Sequence, residues 1–110
     1  MTISDTGFLI LMGLAQSPRR PQHGYALIQA VNQHLGRDVL LPAALYTTLP
    51  KLLKDSLVEE VEPPADNTDA RRRFYKLTDK GVKVVVEKAQ EEASMARMIL
   101  ALPNMVKGAL

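Results

Sequence analysis

The sequence predicts a mainly α protein of the α+β kind, with three helices, one β-hairpin and a long final helix. Three observations carry this expectation. Apolar residues recur at spacings of three and four through the first half of the chain, the period of one helix face. Two short runs, LVEEVE (57–62) and RRFYKL (72–77), alternate in polarity and flank a loop with two prolines, the pattern of paired strands. From Asp79 the helical period returns and runs to Leu102.

At 110 residues the chain predicts one domain with a modest core, near the size at which partners often supplement burial. Cysteine is absent, so there is neither a disulfide framework nor a thiolate metal site. The longest apolar run, Phe8 to Ala15, is too short to span a bilayer, and the residues before it lack the basic start of a secretory signal. These features read as a cytoplasmic protein with no membrane partner.

The first helix, from about Asp5 to Gln16, is apolar nearly all the way round, which implies burial on more than one side. The second opens at His23, places Tyr25, Leu27, Ile28, Val31 and Leu35 along one face, and meets Gly36 where a left-handed end fits. After a brief extended RDVLL, a third helix begins at Pro42, with Leu45, Leu49, Leu52 and Leu53 sharing a face. Pro50 lies inside that helix and predicts a kink or early break near Leu49.

The hairpin ends at Thr78, whose hydroxyl can cap a new helix while Asp79 complements its positive end. In that last helix Val82, Val85, Ala89, Ala93, Ala96 and Leu100 are separated by 3, 4, 4, 3 and 4. A helix from Asp79 to Leu102, closed by Pro103, is about 36 Å long at ~1.5 Å per residue, more than so small a domain can cover. Something outside the domain should cover the rest.

Net charge is only +2, but its distribution is uneven. From Asp55 to Asp69 there are six carboxylates and no basic residue, whereas Arg71 to Lys83 holds six basic residues against Asp79 alone. Adjacent arginines at 71, 72 and 73 repel one another unless water or an anion screens them. No nucleophile elbow, phosphate-cradling glycine loop or carboxylate pair in an apolar setting is present, so the chain does not read as an enzyme and implies no cofactor. His23 and His34 with Asp38 make a poor metal set, and His23 reads as a helix-start residue.

Helix, helix, helix, hairpin, helix, with arginines on the second strand, is the order of a winged helix-turn-helix. More narrowly, HGYALIQAV, then ALYTTLPKLLKDSLVEE, then RRRFYKLTDKG resembles the PadR family of transcriptional repressors over about residues 7 to 90. The resemblance implies a homodimer bound to double-stranded DNA, with a winged-helix DNA-binding part (1–78) and a C-terminal dimerisation helix (79–110). It places the third helix in the major groove, uses the hairpin as a wing, and gives the dimer contact to the first and last helices.

Carried onto these residues, the DNA-contacting candidates are Ala44, Thr47, Thr48, Lys51 and Lys54 on the third helix and Arg71, Arg72 and Arg73 on the wing. Thr47 and Thr48 can bond base edges or phosphates, and the lysines and arginines can neutralise phosphates. Tyr46, Tyr75 and Leu77 read as core residues. The dimer candidates are Phe8, Ile10, Leu11, Met12, Val85, Ala89, Ala93, Ala96 and Leu100. The resemblance also suggests a small aromatic effector at the dimer interface, near Met95 and Met98, although no Trp is available to stack one.

Departures from the family pattern point the other way. The turn Leu41-Pro42-Ala43-Ala44 has no hydroxyl for phosphate, Ser56 stands where glycine is common, and Glu59, Glu60 and Glu62 make the first wing strand acidic. These features motivate the alternative of a dimeric protein-interaction module that keeps the scaffold without binding DNA.

Overall fold

Three of the helices begin where a polar side chain takes up a free amide. The structure, a computed structural model, describes residues 3–109. Helix α1 (Asp5–Ala15) is capped by Ser4, whose hydroxyl accepts from the Gly7 amide at 3.0 Å. Strand β1 (Gln22–His23) leads into α2 (Gly24–Leu35), where His23 Nδ1 accepts from the Ala26 amide at 3.3 Å and Gly36 closes the helix at φ 71°. Helix α3 (Pro42–Lys54) has no side-chain cap, but Pro42 sits in its first turn, where a missing N–H is harmless. Strands β2 (Val58–Val61) and β3 (Phe74–Leu77) form the wing. Thr78 then caps α4 (Asp79–Leu100) through the Gly81 amide, and α5 (Pro103–Ala109) follows.

Strand β1 has no counterpart among the expected elements. It pairs antiparallel with β3, Gln22 opposite Tyr75 and His23 opposite Phe74, giving a three-stranded sheet of order β1-β3-β2. Two residues are too few to show a period, so only the tertiary pairing reveals them as a strand. On its other edge β3 pairs with β2, Val58 opposite Leu77 and Glu60 opposite Tyr75.

Between α2 and α3 the expected extended stretch is held by one side chain. The Asn32 amide donates to the Leu40 carbonyl at 3.0 Å, and its oxygen accepts from the Val39 and Leu40 amides at 3.0 and 2.8 Å. Leu40 is thereby driven into the core beside Leu11, Leu27 and Leu45.

The early break expected at Pro50 does not occur, and α3 runs uninterrupted to Lys54. Pro50 and Tyr46 both lie on the exposed side, so water can bond the Tyr46 carbonyl that loses its partner. Without glycine, Ser56 turns the chain in the left-handed region at φ 59°, with the Ser56 amide on the Leu53 carbonyl at 3.1 Å and the Leu57 amide on the Leu52 carbonyl at 3.0 Å.

The core lies between α1, α2, α3 and one face of the sheet. It includes Ile10 and Leu11, both fully buried within the chain. These two were expected at a dimer contact; α1 instead spends that face on its own domain, because α2, α3 and α4 all pack against it. The chain measures 55 × 27 × 24 Å with a radius of gyration of 16.1 Å, against about 13 Å for a compact domain of this length. The excess is the far half of α4, where every residue from Ala89 to Leu100 is exposed. No helix among the described residues is long and apolar enough to cross a membrane.

Candidate nucleic-acid interface

Arg71, Arg72 and Arg73 lie in the loop just before β3 rather than on the strand as expected, and they reach α2 and α3 because β1 ties β3 to the start of α2. The result is a cleft of about 410 Å³ between the first turn of α2, the start of α3 and β3. Arg71, Arg72 and Arg73 line it on the wing side, and Tyr25, Tyr46 and Tyr75 on the helical and sheet sides. Helices α2 and α3 meet closely here: a Cβ on Gly24 would stand 2.5 Å from the Tyr46 hydroxyl.

All three arginines are exposed, but their surroundings differ. The Arg71 Nε lies 3.3 Å from Asp69, whose carboxylate also accepts the Arg71 amide at 2.9 Å; these two bonds hold Asp69 below the ordinary carboxylate range. Arg73 lies 3.5 Å from Glu60 on the neighbouring strand. Arg72 has no carboxylate partner among the described residues. The acidic strand is answered locally, since Glu59 faces Lys76 directly in register at 3.4 Å. Exposed ion pairs of this kind are worth only about 0–1 kcal/mol, so a phosphate can displace the carboxylates at little cost.

On α3, Thr47, Lys51 and Lys54 are exposed on one side of the helix. The Thr47 hydroxyl donates to the Ala43 carbonyl at 2.7 Å, leaving its lone pairs facing outward, and Lys51 lies 3.7 Å from Asp55. Thr48 is half-buried, and Ala44 is half-buried against the core, so neither presents itself as openly as Thr47. Tyr46 corrects the expectation of a core residue: it is 57% exposed and stands at the mouth of the cleft. Its neighbour Leu45 fills the core position, which leaves the tyrosine a quarter turn away.

Sequence reasoning missed the cleft because it joins residues from three elements. His23 forms part of its floor, edge-on to Phe74 with ring centroids 5.4 Å apart. Burial first, then the nearby Arg72, holds the His23 imidazole below its ordinary value of 6.5, with Asp69 opposing. The one available signal was HGY itself, a helix start beginning with a capping residue and an exposed aromatic.

A second surface lies on α4. Val85, expected at a dimer contact, is 9% exposed and belongs to the chain's own core, whereas Val86 beside it is 48% exposed. Ala89, Ala93, Ala96 and Leu100 are exposed, as are Met95 and Met98; Phe8 and Met12 on α1 are half-buried. The open stripe is thus Val82, Val86, Ala89, Ala93, Ala96 and Leu100, with spacings of 4, 3, 4, 3 and 4.

Three comparisons bear on this geometry. A search of curated proteins by sequence finds no match. Among solved structures, the chain is similar to a PadR-like transcriptional regulator from Bacillus cereus, with a TM-score of 0.72 and 23% identity over 87% of this chain and 91% of that one. It is similar to a transcriptional regulator from Clostridium thermocellum (TM-score 0.68, 20% identity, 87% and 90% covered). RosR of H. salinarum is a third likeness, at a TM-score of 0.65 and 22% identity over 97% of this chain and 86% of that one. These likenesses establish the winged-helix fold. The sequence profile of the transcriptional regulator PadR-like family matches residues 10–87, from α1 through the wing and into α4. The chain therefore belongs to the PadR-like family of transcriptional regulators.

Proposed function

We propose that the protein is a homodimeric repressor that binds a two-fold-symmetric operator in double-stranded DNA through α3 and the arginine-bearing wing. The observation that carries this is that Arg71, Arg72 and Arg73 share a cleft with the exposed Tyr46 of α3, Arg72 having no carboxylate partner among the described residues. A duplex lying across both would meet Thr47 and Lys51 in a groove and the wing arginines along the backbone.

The α4 stripe supplies the reason for two copies. Spacings that alternate strictly between 4 and 3 keep residues on one seam of a pair of supercoiled helices, and alanines along it allow close approach. Pairing two copies along this seam covers the apolar face that a single chain leaves in water. Each DNA-binding unit then meets one half-site.

The test is a titration of the protein with genomic fragments, beginning with its own promoter, across a range of salt. The logarithm of the binding constant is expected to fall linearly with the logarithm of salt concentration, about 0.9 for each phosphate contacted. Replacing Arg72 and Arg73 together by alanine should weaken binding and flatten that slope. A flat salt response, or a chain that sediments as a monomer at micromolar concentration, overturns the proposal and favours the interaction-module alternative.

A further inference from the structure

We propose that the cleft between α2, α3 and β3 seats one phosphodiester of the DNA backbone, with the Tyr75 hydroxyl at its floor and Arg72 at its mouth donating to the phosphoryl oxygens. The inference rests on the DNA-binding reading and extends the interface beyond α3 and the wing tip.

Tyr75 carries the argument. It is 6% exposed, its ring belongs to the core, and yet it lines the cleft. Among the described residues no hydrogen bond involves its hydroxyl. No polar side-chain atom among the described residues is both buried and unpartnered, so the hydroxyl of this otherwise buried side chain opens on the cleft, where a ligand oxygen can accept its hydrogen bond. Burial, with the Glu60 carboxylate next in weight, raises this hydroxyl above its ordinary value of 10.0, so it remains a proton donor.

Other donors converge on the same space. Arg72 is exposed and has no carboxylate partner among the described residues. The His23 cap takes up the Ala26 amide, while the Gly24 and Tyr25 amides before it have no acceptor inside α2. The Tyr46 hydroxyl closes the α3 side against Gly24. Among the described residues Asp69 is the one carboxylate in the lining, and its oxygens are turned to Arg71, at 3.3 and 3.4 Å. A site rich in donors whose single acid is occupied selects an anion with several acceptor oxygens. At about 410 Å³ and open on one side, the cleft has room for a phosphate together with its flanking sugars.

Free phosphate shares this chemistry, so the test has two arms. In the first, a labelled operator duplex is titrated with wild type, Tyr75→Phe and Arg72→Gln across a range of salt. Tyr75→Phe is expected to weaken binding roughly tenfold with the salt slope unchanged, because it removes a donor and no charge. Arg72→Gln is expected to weaken binding and lower the slope by about one per protomer. In the second arm inorganic phosphate is added to wild type. All three tyrosines of the chain line this cleft and there is no tryptophan, so the intrinsic emission reports on it alone. Phosphate is expected to change that emission and to compete with the duplex.

If wild type binds no duplex, the DNA reading falls and the seat falls with it. If wild type binds and Tyr75→Phe, melting like wild type, binds within about twofold, the seat alone is overturned. A phosphate-induced emission change that leaves duplex affinity untouched makes the cleft a free-anion site and overturns the backbone assignment. Should Tyr75→Phe fail to fold, Arg72→Gln at its exposed position decides: an unaltered slope overturns the proposal.

Discussion

Gly81 sets how the wing meets α4, and replacing it by alanine tests that junction. Gly81 is buried in the first turn of α4, where an added Cβ would strike the Leu57 carbonyl oxygen, stand 3.0 Å from the Leu57 carbonyl carbon and 3.3 Å from Leu77 Cδ2. The obstacle is backbone. The Leu57 carbonyl accepts from the Thr78 amide at 3.1 Å, and the Thr78 hydroxyl donates to the Ser56 carbonyl, so the segment cannot yield without losing bonds. Overpacking costs about 1–3 kcal/mol when side chains can adjust, and a clash with tethered backbone belongs at or above the top of that range. Alanine's better helix propensity returns about 1 kcal/mol. The net expectation for Gly81→Ala is a loss of about 2 kcal/mol, or roughly 8 °C in Tm for a chain of this size. Urea and thermal unfolding followed by circular dichroism, at one fixed protein concentration, measure it. Gly108→Ala is the control, since a Cβ there meets nothing within 4 Å. A Gly81→Ala protein as stable as wild type, with Gly108→Ala no less stable than wild type, refutes the packing argument.

Three further outcomes follow from the same structure. His23 resists protonation in the folded chain, so its contribution is complete above its ordinary value of 6.5 and declines as pH falls below it, until the lower folded-state value is passed. His23→Ser, which keeps a capping hydroxyl, should lose that part of the fall in urea midpoint between about pH 7.5 and about pH 5.5; an identical pH profile contradicts the assignment. Asn32→Ala leaves the Val39 and Leu40 amides and the Leu40 carbonyl without their partner, and should cost about 2 kcal/mol or more in chemical denaturation, whereas a neutral result means water replaces the side chain freely. Pro50→Ala restores an amide for the Tyr46 carbonyl in a helix that is already continuous, so unfolding should show a gain of about 2 kcal/mol; no gain means that α3 is shaped around the proline.

Much of the fold was legible because its signals are local. His23 and Thr78 announce helix starts by the one hydrogen bond each can make, and Gly36 announces an end by its backbone freedom. Alternation around Val58 and Phe74 announces the hairpin. No break follows at Pro50 because Tyr46 and Pro50 lie on the exposed side of α3, and which side faces water depends on the packing of Leu45, Leu49 and Leu52.

By itself the sequence determined the order of elements, the basic wing beside an acidic strand, and the period of the last helix. Only the tertiary structure decided which residues on those elements remain available. Periodicity assigns Val85 and Val86 to neighbouring faces, but how far the core extends along α4 determines that the first is buried and the second open. The cleft is a stronger case: Tyr25, Tyr46 and Tyr75 are far apart in the chain and meet only because β1 holds β3 against the start of α2. Local rules describe what a residue can do within one or two turns of itself. What it faces across the fold depends on how every other element packs.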